Sequence, residues 1–219
     1  MNEILFLSHL IIVLIFAWGA LKLGKEALIS WVALQAVLAN LFVIKQTSLF
    51  GFTVTCSDVY AIGSVLGLNL IQEYFGQESA KRAAWICFFV MIFFALMAGL
   101  HLIYIPSSGD ATQASFLTVL SATPRLLIAS LLTFLIVQQL DVRLYGWTKN
   151  LMPSASFPFR NTFTLIISQL LDTSLFTFLG LYGLVTSAGD ILLFSFLIKL
   201  LIIFVMMPAL SLLKRWVYD

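Results

Sequence analysis

The stretch RNTFTLIISQLLDTSLFTF (residues 160–178) is apolar enough for a bilayer. Yet it carries Arg160 and Asn161 at one end and Ser168, Gln169, Asp172 and Thr173 at its middle. Helical spacing sets Gln169 beside Asp172 and Thr173, and Ser168 beside Asp172. Two further apolar stretches pair an amide with a carboxylate in the same way, Asn69 with Glu73 and Gln138 with Asp141. A carboxylate accepts from adjacent N–H donors, and a carboxamide both donates and accepts. Asn69, Glu73, Gln138, Asp141, Gln169 and Asp172 are therefore the candidate binding residues, on three helices, for a small, flat, hydrogen-bonding solute. Aromatic rings can cover the faces of such a solute, and a carboxylate can bind a cationic group or exchange a proton with it. A charge inside a spanning helix faces a bundle interior or an aqueous path, because hydrocarbon penalises it heavily.

The cations belong to the same problem. Lys199 lies roughly two helical turns beyond Asp190 by the ~1.5 Å rise per residue, deep in an apolar stretch. It needs an acid on another helix: Asp172 is the first choice, Asp141 the second and Asp58 the third. Arg125 follows Pro124 in the first turn of a helix, against the favourable sign of the helix dipole, which suggests a nearby acid. Lys199, Asp172, Arg125 and Arg160 are thus expected to form structural or coupling ion pairs. Residues 125–141 and 160–172 share a pattern, an Arg at the start of a span with Gln and Asp on one face further in. Paired polar helices of this kind recur in transporters.

These residues need a frame, and composition supplies one. The 219 residues are 61% hydrophobic and 10% charged, far from the roughly 25% charged of a soluble domain. The reading is a single all-α, polytopic membrane bundle. Seven transmembrane helices are expected, at about 4–21, 28–44, 56–75, 83–105, 124–144, 159–184 and 191–213. The start, MNEI, lacks the basic region of a cleavable leader, so the first span reads as a real helix. With seven spans, Lys22, Lys25, Lys81, Arg82, Arg143, Lys149, Lys214 and Arg215 all fall on one side, with Arg160 at its edge. The positive-inside rule then puts the N-terminus out and the C-terminus in. The connection KQTSLFGFTVTCSD is not hydrophilic. It reads either as an interfacial loop with aromatic anchors or as a re-entrant piece buried by protein.

Several function classes are disfavoured. There is no HExxH, no nucleophile elbow and no GxxxxGK[ST] loop, so nothing marks an enzyme or a nucleotide-driven pump. His9 and His101 do not combine with Cys or Asp at metal-ligand spacing, and neither a metal nor another cofactor is expected. His9 reads as a packed or interfacial residue. Cys56 and Cys87 form no CxxC motif and read as apolar packing residues, with a disulfide between them left open. A net charge of +2 without a long basic run does not suggest nucleic acid as a partner. The partners expected are a small molecule and the lipid bilayer, with the oligomeric state open.

The runs NLFVIKQTSLFG (40–51), LNLIQEYFG (68–76), PRLLIASLLTFLIVQQLDVRLYGWTK (124–149) and RNTFTLIISQLLDTSLF (160–176) resemble the queuosine precursor transporter family. The likeness extends from about Asn40 to the last span. It implies a small bacterial inner-membrane protein that imports 7-deazaguanine precursors of the tRNA nucleoside queuosine. The implied substrates are 7-cyano-7-deazaguanine, 7-aminomethyl-7-deazaguanine or the queuine base. The family core has six spans, so residues 4–21 would be an added N-terminal helix. Some relatives carry Asp at the place of Asn69 and Arg near that of Glu73, a departure that bears on which base is preferred. The alternative is a membrane substrate-binding component for a vitamin-like solute, which would need a separate energising partner.

Overall fold

The computed structural model describes residues 1–43, 45–55, 57–120, 124–182 and 188–217, with side chains described for all of these except 52–55, 124–127, 181, 188–191 and 207–217. The chain is a helical bundle. Its long helices are α1 (Asn2–Leu23), α2 (Lys25–Leu41), α3 (Asp58–Phe75), α4 (Gln77–Ile103), α6 (Pro124–Leu151), α7 (Phe157–Phe176) and α8 (Ala188–Val217), with a short α5 (Gln113–Leu120) between α4 and α6. Among the described residues, four segments are long and apolar enough to cross a membrane: Asn2–Leu23, Gln77–Ile103, Ile128–Leu151 and Phe157–Gly180. Together they make this a multi-pass membrane protein. Their outer faces carry large apolar side chains, among them Ile11, Phe16, Phe89, Phe93, Leu96 and Phe163, as lipid contact requires.

α3 is the axis of the bundle and touches α1, α2, α4, α6, α7 and α8. Enclosure by protein explains how it tolerates buried Asp58, Ser64, Asn69 and Gln72, since lipid contact would penalise each of them. Its closest neighbour is α2, and the approach is set by Gly63 and Gly67, spaced four apart. A Cβ on Gly67 would collide with Val32 Cγ2 and stand 2.9 Å from Trp31 Cζ3, and one on Gly63 would stand 2.9 Å from Gln35 Oε1. Small residues at this spacing let membrane helices meet backbone to backbone.

Two joints are a single residue long. Gly24 separates α1 from α2 at φ 109°, ψ −176°, and Gly76 separates α3 from α4 at φ 86°, ψ 164°. Both conformations are open essentially to glycine alone. At each joint the glycine N–H caps the preceding helix, on Ala20 and Leu21 carbonyls at Gly24 and on the Gln72 carbonyl at Gly76. The glycine carbonyl then accepts the first bond of the next helix, from Leu28 or Ala80.

The structure departs from the sequence reading in three places. The second span ends as helix at Leu41, and the next element is a β-hairpin, β1 (Gln46–Leu49) and β2 (Phe52–Thr55), paired antiparallel. Phe50 and Gly51 turn it, both with positive φ, the mark of a two-residue turn that matches strand twist. Asn2 Nδ2 donates to Thr47 Oγ1 at 3.1 Å and to the Ser48 carbonyl at 2.9 Å, tying the hairpin to the start of α1. The molecule is all-α apart from this one small hairpin, which is the form the connection takes. α5 has no counterpart among the seven expected spans. The sixth span stops as α-helix at Phe176 and widens into a π-helical turn, Thr177–Leu181. Cys87 is a free, buried thiol, and Cys56 lies outside the described residues. His9 is half-buried and packs edge-on against Tyr60 at 4.5 Å.

Candidate functional site

A cavity of about 160 Å³ opens between α2, α3, α6, α7 and α8. That is far more than the 10–15 Å³ one water occupies. Each helix presents polar residues to it at helical spacing: Asn40 from α2, Asp58 and Ser64 from α3, Ser130, Thr133 and Gln138 from α6, Gln169, Asp172 and Thr173 from α7, Ser195 and Lys199 from α8. Ala36, Ala39, Ala61, Val65, Phe134, Val137 and Phe176 supply the apolar wall, and Thr177 of the π-turn reaches the same space. The mix is that of a small-molecule site, mostly apolar with a few placed polar groups.

Part of the wall is internally satisfied. Lys199 Nζ lies 2.6 Å from Asp172 Oδ2, joining α8 to α7. Gln138 Nε2 donates to Ser64 Oγ at 3.2 Å, joining α6 to α3. Ser130 Oγ donates to Asn40 Oδ1 at 2.5 Å, joining α6 to α2. Other atoms of the lining are not satisfied. Asp58 Oδ2, Thr133 Oγ1, Gln138 Oε1 and Gln169 Oε1 are buried and have no hydrogen-bond partner. Buried polar groups are almost always paired, and each exception needs a reason. Three of these four atoms accept only, so the cavity as built is short of donors.

Of the six candidate binding residues, Gln138, Gln169 and Asp172 line the cavity, whereas Asn69, Glu73 and Asp141 do not. The six thus stand as two groups on the same three helices, one at the cavity and one beyond it. α3 and α6 run away from the cavity towards their C-termini, and α7 towards its N-terminus. Along that direction Ser168 Oγ donates to Asp141 Oδ1 at 2.5 Å, and Asn69 Nδ2 to Asn161 Oδ1 at 3.0 Å. Asp141 Oδ2, Asn69 Oδ1, Gln72 Oε1 and Asn161 Nδ2 are left without partners.

The column ends in an ionic cluster around Glu73. Arg160 Nη2 sits 2.7 Å from Glu73 Oε1, and Lys149 Nζ 2.9 Å from Oε2. Tyr145 donates its hydroxyl to the same carboxylate at 3.0 Å. Arg160 also donates through Nη1 to the carbonyls of Ala155 and Pro153, at 3.0 and 3.5 Å. Glu73 is thus a structural clamp among α3, α6 and α7. Its three partners leave it no place in the cavity, because the chain separates it from Asp58 by most of the length of α3. The side chain of Arg125, expected to find an acid, lies outside the described residues.

Sequence reasoning undervalued Asp58, Asn40 and Thr133. Asp58 had a signal, a carboxylate at the edge of an apolar run. Asn40 sat in a span read in isolation, and a threonine in an apolar helix carries no signal of its own. No group of three His, Cys, Asp or Glu among the described residues is placed to hold a metal ion.

Residues 55–213 match the family described as "Putative vitamin uptake transporter". A protein of Bacillus subtilis (strain 168) named "Probable queuosine precursor transporter" is 34% identical over 178 residues, which covers 80% of this chain and 76% of that protein. No solved structure matches the chain.

Proposed function

The chain belongs to the queuosine precursor transporter family, and on that premise we propose that it imports 7-deazaguanine bases across the bacterial inner membrane. The observation that carries the reading is the set of unpartnered buried acceptors around the cavity: Asp58 Oδ2, Gln138 Oε1 and Gln169 Oε1, with the Thr133 hydroxyl beside them. Unsatisfied polar groups at membrane depth are costly, and a solute rich in N–H donors relieves them. The pyrimidine edge of a deazaguanine offers a ring N–H and an exocyclic amino group side by side, and its pyrrole ring offers a third N–H. Its carbonyl suits the donor half of a carboxamide. Phe134 and Phe176 are positioned to cover the ring faces.

In this reading Gln138, Gln169 and Asp172 contact the base, and Lys199 holds the Asp172 side chain in place. Asp141 and Asn69 carry the polar path onward towards the clamp at Glu73. Seven helices span the membrane, with the N-terminus out and the C-terminus in, so the cavity lies in the outer half and the Glu73 clamp in the inner half. The substrates are 7-cyano-7-deazaguanine, 7-aminomethyl-7-deazaguanine or queuine.

Uptake of labelled bases by the purified protein in sealed liposomes, with and without ion gradients, tests the proposal. Accumulation above empty liposomes, competed by unlabelled base and reduced in Gln169→Ala, is expected. Liposomes that take up no base under any gradient would refute it.

A further inference from the structure

The charges lining the cavity do not balance. Three charged side chains line it among the described residues: Asp58, Asp172 and Lys199. Lys199 is 4% exposed and contacts Asp172 at 2.6 Å, with Asp58 also in its field. Asp58 is 6% exposed, and its Oδ2 has no partner. The formal sum is one negative charge in a space enclosed by membrane helices. Asp58 opens α3, where the helix N-terminus holds roughly half a positive charge. That partial charge is smaller than the full charge it faces. One buried cation is thus shared by two carboxylates, and a charge left over at this depth is strongly unfavourable, so the cavity suits an occupant that brings a positive charge.

The size and ligand set of the cavity select among cations. At about 160 Å³ it is too roomy for a bare ion. No third carboxylate, His or Cys joins Asp58 and Asp172 in a metal-holding group among the described residues. A primary ammonium, by contrast, needs one carboxylate and a few neutral acceptors for its three donors, and Asp58, Gln138 and Gln169 are of those types.

We propose that Asp58 is the specificity-determining counter-charge of the cavity, receiving a cationic arm of the transported solute, so that a positively charged base is bound in preference to a neutral base of the same shape. This rests on the base-transport reading above.

The test uses the full-length protein in lipid nanodiscs and two probes on one ring system: the 7-aminomethyl base, cationic at pH 7, and the neutral 7-cyano base. The parent should bind the cationic base roughly tenfold or more tightly than the neutral one, as a charge-assisted contact implies. That ratio is read without any variant. Asp58→Asn should bring it near unity by weakening the cationic base alone, and Asp58→Glu should keep it, with thermal unfolding confirming that each variant is folded. Equal affinities in the parent, or an Asp58→Asn that weakens both bases alike, would overturn the inference and leave base transport standing. An Asp58→Asn that keeps the preference but loses stimulation of uptake by an ion gradient would also overturn it, assigning Asp58 to coupling. Binding of neither base would overturn both readings.

Discussion

At the scale of single residues, the most consequential contact is Lys199 with Asp172. Both atoms sit within a bundle, and Lys199 is almost wholly buried. Removing one partner from a buried pair leaves the other charge stranded, which costs on the order of 3–5 kcal/mol. Lys199→Met should therefore lower the thermal unfolding temperature markedly, while Lys199→Met combined with Asp172→Asn should regain most of the loss. A double variant no more stable than the single one would show that the pair does not act as a unit. The amides behave differently. Gln138→Ala and Gln169→Ala should weaken base binding by ~1–3 kcal/mol, roughly 5- to 150-fold, and Gln138→Ala should also lower the unfolding temperature, because its Nε2 joins α6 to α3 through Ser64. Much of this was legible in the chain: a lysine two turns into hydrocarbon must find an acid, and the polar stripe of residues 168–173 named the nearest candidate. The unpaired Oδ2 of Asp58 was not legible, because it depends on Lys199 bonding Asp172 instead. Which of two acids a lysine chooses is decided by helix rotation, and one sequence does not encode that openly.

At the scale of elements, the helices followed from hydropathy and the joints from glycine, but the packing between helices did not. Gly63 and Gly67 look like ordinary breaks in an apolar run until α2 is set against them. Gly67→Ala should destabilise the protein by about 1–3 kcal/mol through overpacking, since the new Cβ would collide with Val32 and meet Trp31 at 2.9 Å. Gly99 on α4 has nothing within 4 Å of the corresponding point, so Gly99→Ala is the control and should hold or raise stability. Thermal unfolding of the two variants side by side checks the contrast. The hairpin β1–β2 was missed for a different reason. Its strands are four residues each, too short for alternation to register, and its turn is Phe-Gly rather than the Asn-Gly or Asp-Gly that announces such a turn. The split of the six candidate residues into cavity and clamp likewise stems from helix direction. Periodicity reports which residues share a face, but not how far along a neighbouring helix their counterparts lie.

For the whole molecule, the proposed orientation makes a directional prediction. Ala39 lines the cavity at the end of α2 that lies near the hairpin. In intact cells Ala39→Cys should be labelled by a membrane-impermeant maleimide, and a cysteine at Lys149, beside the Glu73 clamp, should be labelled only after the cells are opened. The reverse pattern would invert the topology. The clamp also governs how the bundle can move, and the joints at Gly24 and Gly76 say where. A linker of one residue gives its two helices no slack, so α1 with α2, and α3 with α4, form two short-linked clips. Between α3 and its neighbours α6 and α7 no such covalent leash exists at that end. What holds them is Glu73 with Arg160, Lys149 and Tyr145, contacts that can be broken and remade in full. Backbone thus joins the two members of each clip, while at this end of the bundle α3 meets α6 and α7 through charged and hydroxyl side chains.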